Sequence, residues 1–200
     1  FRRDLRVEDN HGLYEASKLG LPILPIFIFD PFILDKLSSK KDARVEFIHL
    51  QLKNLNKHFN QFNSSIQVFH QKPIEAFDYL FSTYHIEAVF CNHDYEKYAI
   101  ERDKSVQQFC EKSGAAFYSF KDQVIFEKQE VLSGQNTPYT VFTPYSRRWK
   151  ALLQENPIVN FPSEKATNYF KITTQIPELT SIGFETSGLT FPPQSVEDEL

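Results

Sequence analysis

The chain has 200 residues, 41% of them hydrophobic and 24% charged, which is ordinary globular usage and excludes the disordered and fibrous classes. A formal charge of −4 speaks against a free-standing nucleic-acid binder, which needs a basic face to displace counterions from phosphates. No run approaches the ~18 consecutive apolar residues of a membrane span, and the opening FRRDLRVEDN leads into polar residues, so a cytoplasmic protein with no membrane contact is expected. The absence of Met and the start on Phe1-Arg2-Arg3 read as a segment trimmed from a longer protein.

In chain order, the residues before His11 are expected to hold the tail of a first strand. A short helix over 11–19 stops at Gly20, a natural C-terminal cap. The apolar run 23–29, bounded by Gly20-Leu21-Pro22 and Asp30-Pro31, predicts a strand that must accommodate Pro25. Over 42–60, Val45, Ile48, Leu52, Leu55 and Phe59 recur at helical spacing and place one apolar stripe against a sheet. The runs 66–69, 86–91 and 115–120 are too short for helices and rich in β-branched or aromatic residues, so buried strands are predicted. Between them, Ile74, Phe77, Leu80, Phe81 and Tyr84 follow Pro73 as a second amphipathic helix. A third covers 96–113, with Val106, Phe109 and Cys110 facing inward and Gly114 ending it.

This alternation predicts parallel pairing through right-handed crossovers, and hence an α/β fold. Its expected form is a doubly wound, five-stranded, Rossmann-like parallel sheet with helices on both faces. After Phe120 the alternation fades, and GQNTPYTVFTPYSRRWKALL reads as a turn, an extended piece and a helix starting near Thr143-Pro144. From Asn156 onward, Pro157, Pro162, Pro177, Pro192 and Pro193 break every period, so a domain over 1–155 followed by an interdomain linker over 156–200 is expected. Cys91 and Cys110 lack any CxxC spacing and read as free thiols.

In an open parallel sheet, ligands bind beyond the carboxyl ends of the strands, which selects the loops 1–10, 30–33 and 92–96. Arg3 is the cation best suited to grip a phosphate, carboxylate or carbonyl in two places. Asp94 and Glu96 can accept hydrogen bonds from hydroxyls or ring N–H groups, and Asp94 equally suits a helix cap. Arg44 opens the long helix, where it serves either an anion site or an ordinary surface. A metal site at His93, Asp94 and Glu96 lacks a supporting ligand cluster, so no metal is expected. There is no GxGxxG, GxxxxGK[ST] or nucleophile elbow, which counts against a dinucleotide fingerprint, a Ser hydrolase of that type and a stand-alone nucleotide-binding module.

Four segments carry a resemblance: FRRDLRVEDNHGLYEA at the start, FIFDPFIL after the second predicted strand, NHDYEKYAIERD after the fourth, and GQNTPYTVFTPYSRRW before the linker. In order and spacing they resemble the N-terminal antenna domain of the photolyase/cryptochrome family. The resemblance implies a full protein in which this domain precedes a helical partner domain holding FAD. That protein would repair cyclobutane pyrimidine dimers in damaged DNA by light, and this segment alone would be inactive, with no catalytic residue of its own. It further implies an antenna pigment held by Arg3, Asp30, Arg44, Asp94 and Glu96. A deazaflavin or FMN/FAD type of pigment is favoured over methenyl-folate, because Tyr98-Ala99 stand where the folate type carries Asn-Glu. Phe29 and Phe32 are candidates for stacking on its ring or for core packing. A signalling cryptochrome and a six-four photolyase are the alternative readings of the whole protein.

Overall fold

A computed structural model describes residues 1–191. In chain order it contains α1 (His11–Lys18), β1 (Ile26–Phe29), α2 (Pro31–Leu34), α3 (Ala43–Asn60), β2 (Gln67–His70), α4 (Pro73–Thr83), β3 (Ala88–Asn92), α5 (Lys97–Lys112), β4 (Ala116–Phe120) and α6 (Phe142–Glu155). Two 3₁₀ turns, Ser163–Lys165 and Leu179–Ile182, follow.

The helices begin where local chemistry starts them. The side chain of Asn10 accepts from Leu13 N–H to cap α1, and Asp42 accepts from Arg44 N–H to cap α3. Asp30 caps α2, a four-residue helix that the sequence reading leaves as loop. Helix α6 starts one residue before Thr143, after Val141, and no side chain caps it. Pro25 delays β1 to Ile26: it has no N–H to give the ladder, although its carbonyl accepts from Gln67 N–H at 2.9 Å.

The four predicted interior strands are present, but the single five-stranded doubly wound sheet is not. β1 pairs in parallel with β2, Ile26 opposite Gln67, and β3 pairs in parallel with β4, Ala88 opposite Ala116. These are two separate two-stranded sheets. The expected fifth strand fails because residues 1–10 follow an irregular path, with bends and turns in place of a ladder. Their polar groups are engaged by side chains: Asp4 accepts from the Asn92 amide, and Arg2 is bound to Asp103. A cavity of about 580 Å³ lies between the sheets, with Leu24, Ile26, Ile28, Val89, Cys91 and Phe117 in its wall.

Packing follows strand alternation. Phe27 and Phe29 of β1 join Val45, Leu52, Leu55 and Phe59 of α3 in one core. Ile26 and Ile28 pack against the second, built on Phe77 and Leu80 of α4 with Val106 and Cys110 of α5. The irregular segment after α6 adds Ala166, Tyr169, Leu179, Ile182 and Phe184 to the first core. Residues 192–200, including Pro192 and Pro193 of the expected linker, lie outside the described residues. Among the described residues, no helix is long and apolar enough to cross a membrane.

Candidate functional site

At the carboxyl end of β3 the chain passes from Asn92 through His93 to Asp94, and two kinds of polar group separate there. Asn92 is buried; its carbonyl Oδ1 accepts from Gly12 N–H at 2.8 Å, and its amide donates to Asp4 Oδ2 at 2.6 Å and Asn10 Oδ1 at 2.9 Å. Gly12 is required at this contact, since a Cβ there would sit 2.9 Å from Asn92 Oδ1 and 3.3 Å from the Cys91 carbonyl carbon. Arg2 donates to Asp103 Oδ1 at 2.5 Å and also to the Asn92 carbonyl. Ser163 Oγ accepts from Asn10 N–H at 2.8 Å and donates to the Val7 carbonyl at 2.5 Å, tying the irregular C-terminal segment to the first loop. The knot is a satisfied polar core, and it fixes the loops that carry the outer residues.

Outside it, Arg3 reaches Asp94 Oδ1 at 3.4 Å and Glu96 Oε1 at 4.0 Å. Arg3 and Glu96 are open to solvent, their side chains 59% and 71% exposed, whereas Asp94 is 11% exposed. Asp94 Oδ1 also accepts from Glu96 N–H at 3.3 Å, which closes the turn before α5 without capping the helix itself, since its N-cap is Glu96. Three of the predicted residues therefore converge on one rim.

Asp30 is buried beside that loop system and couples it to β1. Besides capping α2 through Phe32 N–H at 3.0 Å, it accepts from the hydroxyl of Tyr98 at 2.5 Å. Burial, then the carboxylate beside it, pushes the Tyr98 phenol up to about 12. The Tyr98 ring stacks on Phe32 at 4.2 Å between centroids, and Lys36 Nζ sits 3.4 Å from the Phe32 centroid. Phe29, the other aromatic considered for stacking, is buried in the first core. Arg44 does not join the rim through any contact among the described residues; its guanidinium is bound at 2.6 Å to Asp42, two residues away. That pair holds the Arg44 charge up and the Asp42 carboxyl below the usual range.

Sequence reasoning missed Asn92, Arg2 and the contact between Tyr98 and Asp30. A small amide directly after a buried strand is the one local signal for Asn92, but its partners are 82 and 88 residues away. The rim offers a guanidinium 3.4 and 4.0 Å from two carboxylates, beside an aromatic stack. Such a set suits a polyhydroxylated chain attached to a planar ring.

A family model described as DNA photolyase matches residues 1–164. The deoxyribodipyrimidine photo-lyase of a Synechococcus species is 28% identical over 194 residues, covering 94% of this chain and 40% of that protein. Cryptochrome-1 of Rattus norvegicus is 24% identical over 204 residues, covering 95% of this chain and 34% of that protein. Among solved structures, the archaeal photolyase from Sulfolobus tokodaii with two FAD molecules aligns at a TM-score of 0.73 and 23% identity, covering 95% of this chain and 42% of that one. The chain thus spans about two fifths of the length of the photolyases it matches.

Proposed function

The chain belongs to the DNA photolyase family, and from that premise we propose that it is the antenna-pigment domain of a photolyase acting on cyclobutane pyrimidine dimers. The observation that carries this reading is the meeting of Arg3, Asp94 and Glu96 on one rim at the carboxyl end of β3. Arg3 grips a carbonyl or phosphate oxygen of the pigment, while Asp94 and Glu96 accept from its hydroxyls or ring N–H groups. Phe32 supplies the apolar face beside them, and Asp30 acts through Tyr98, whose hydroxyl it holds. Arg44 contributes only if it leaves Asp42.

The donor set fits a deazaflavin or flavin better than methenyl-folate, because it is built around a cation and hydroxyl acceptors, and Tyr98 is already committed to Asp30. When bound, such a pigment absorbs light and passes the excitation energy to a flavin in a partner domain. That partner is a helical FAD domain beyond these residues, with residues 156–200 leading to it and damaged DNA engaged by the whole protein. The whole protein is then a carbon–carbon lyase working in the cytoplasm, and this domain contributes no catalytic residue to that lyase step. The match to a cryptochrome-1 supports a second reading, a photosensory protein built on the same domain.

Titration of the purified protein with ATP, FMN and a deazaflavin, followed by absorption, tests the proposal. Binding of a flavin or deazaflavin that weakens in the Arg3→Ala, Glu96→Ala double variant is the expected result. Tight ATP binding without either pigment, or unchanged pigment binding in the variant, would overturn it.

A further inference from the structure

Below the antenna rim, three side chains from separate elements form a relay that the pigment site does not use. His93 lies just past β3, Ser119 on β4, and Glu127 in the irregular stretch that follows. His93 Nδ1 is 2.7 Å from Glu127 Oε2, and His93 Nε2 is 3.1 Å from Ser119 Oγ. A hydroxyl on one imidazole nitrogen and a carboxylate on the other is the arrangement in which a serine becomes a nucleophile. It is recognised by geometry and roles, whatever the order of residues along the chain.

Each member is held in its role. The His93 N–H donates to the Phe120 carbonyl at 2.7 Å, and the His93 carbonyl accepts from the Gln123 amide at 3.1 Å, so the imidazole hangs from a pinned backbone. Glu127 is largely buried and accepts a second hydrogen bond at 2.8 Å from the Tyr95 hydroxyl. Burial works against its charge, but the Tyr95 and His93 contacts outweigh it and keep the carboxyl below the usual glutamate value. The ionised carboxylate selects, for the neutral imidazole, the tautomer with its proton on Nδ1, in which Nε2 accepts from Ser119.

The strand supplies a donor as well. Ala116 N–H bonds to Glu87 and the Phe120 carbonyl accepts from His93, so the even-numbered residues of β4 turn their peptide groups toward β3. Alternation turns those of Phe117 and Ser119 outward, to the edge of β4 that no strand covers among the described residues. The Ser119 N–H is thus free to meet a developing oxyanion beside its own Oγ.

We propose that Ser119, His93 and Glu127 form a nucleophilic serine site that accepts acyl groups from small activated esters. Ser119 Oγ forms a bond to the carbonyl carbon while its proton passes to His93 Nε2. The carbon–oxygen bond to the leaving alcohol breaks, and the alkoxide takes that proton. Water then repeats the sequence on the acyl-serine and releases the carboxylic acid. Ser119 is exposed and lines neither the cavity between the sheets nor the polar one near Asn60, so the ester reaches it from solvent. Leaving-group ability, more than shape, selects the ester.

The test is a fluorophosphonate probe and p-nitrophenyl acetate applied to the full chain, with the labelled residue mapped by peptide mass. Expected are labelling of Ser119, its loss in Ser119→Ala, and a fall in rate on the order of 10²-fold in His93→Gln, the usual size of a lost general base. Glu127→Gln should also slow labelling, and a far-ultraviolet circular dichroism spectrum reports whether each variant is folded. Ser119→Cys gives a second readout: its alkylation by iodoacetamide should slow when His93 is also replaced. A relay that only fastens the loop to the strand predicts no label on Ser119, or labelling and alkylation rates that ignore His93; either result overturns the proposal.

Discussion

Arg2 and Arg3 are neighbours in the chain and opposites in the fold. The Arg2 side chain is 20% exposed and tied to Asp103 and the Asn92 carbonyl, while that of Arg3 is 59% exposed and sits loosely at 3.4 Å from Asp94. The buried member belongs to a knot in which every group has a partner, so its removal leaves others stranded; loss of the exposed member leaves Asp94 its bond from Glu96 N–H and leaves Glu96 in solvent. A charged loop is therefore not one functional unit, and the residues free to meet a ligand are those that the fold does not consume.

The largest effect is expected from Asn92→Ala, which strands the buried Gly12 N–H and takes one donor each from Asp4 and from Asn10 Oδ1. A loss of about 3 kcal/mol is expected in urea unfolding. Gly12→Ala pushes a methyl against Asn92 and the Cys91 backbone and should cost about 2 kcal/mol by the same measurement. Tyr98→Phe, at the border between the two regions, removes the donor to buried Asp30 while keeping the stack on Phe32, and about 1 kcal/mol is expected.

Acid separates the regions further. The Glu127 carboxyl lies below its ordinary value, so its contribution is complete above the unfolded glutamate pKa, about 4.3. That contribution is lost as pH falls from there through the lower folded value. Urea midpoints measured across this window should fall more steeply for the native chain than for Glu127→Gln. The smallest effect belongs to the rim: Arg3→Ala with Glu96→Ala should change stability by less than about 0.5 kcal/mol. If that pair destabilises as much as Asn92→Ala, the division between knot and rim is wrong.

Much of the fold was legible because burial writes itself as a period. Leu52, Leu55 and Phe59 mark the inner face of α3, and the runs around Phe27, Val68, Phe90 and Phe117 mark four strands. The fifth strand was not legible as absent, because nothing local distinguishes a strand remnant from a loop held by Asp103 and Asn92, both about 90 or more residues away. The rim pair Asp94 and Glu96 was readable from its place after a buried strand. Arg44 takes the surface alternative for a local reason: Asp42 both caps α3 and holds the guanidinium, so one residue satisfies two demands. His93 and Glu127, 34 residues apart, carry no shared pattern that a period could reveal.

The cavity between the sheets has a consequence for handling the molecule. Strands β1 and β3 each leave one edge without a ladder partner among the described residues, although the Ile26 carbonyl accepts from the Phe1 amine and the Asn92 carbonyl from Arg2; the wall between them is mostly aliphatic and aromatic. The peptide groups that remain unpaired there, beside oily side chains, are a partial template for another molecule's backbone. The apparent mass from light scattering should therefore rise with protein concentration, and an environment-sensitive dye such as ANS should brighten in this groove before any unfolding begins.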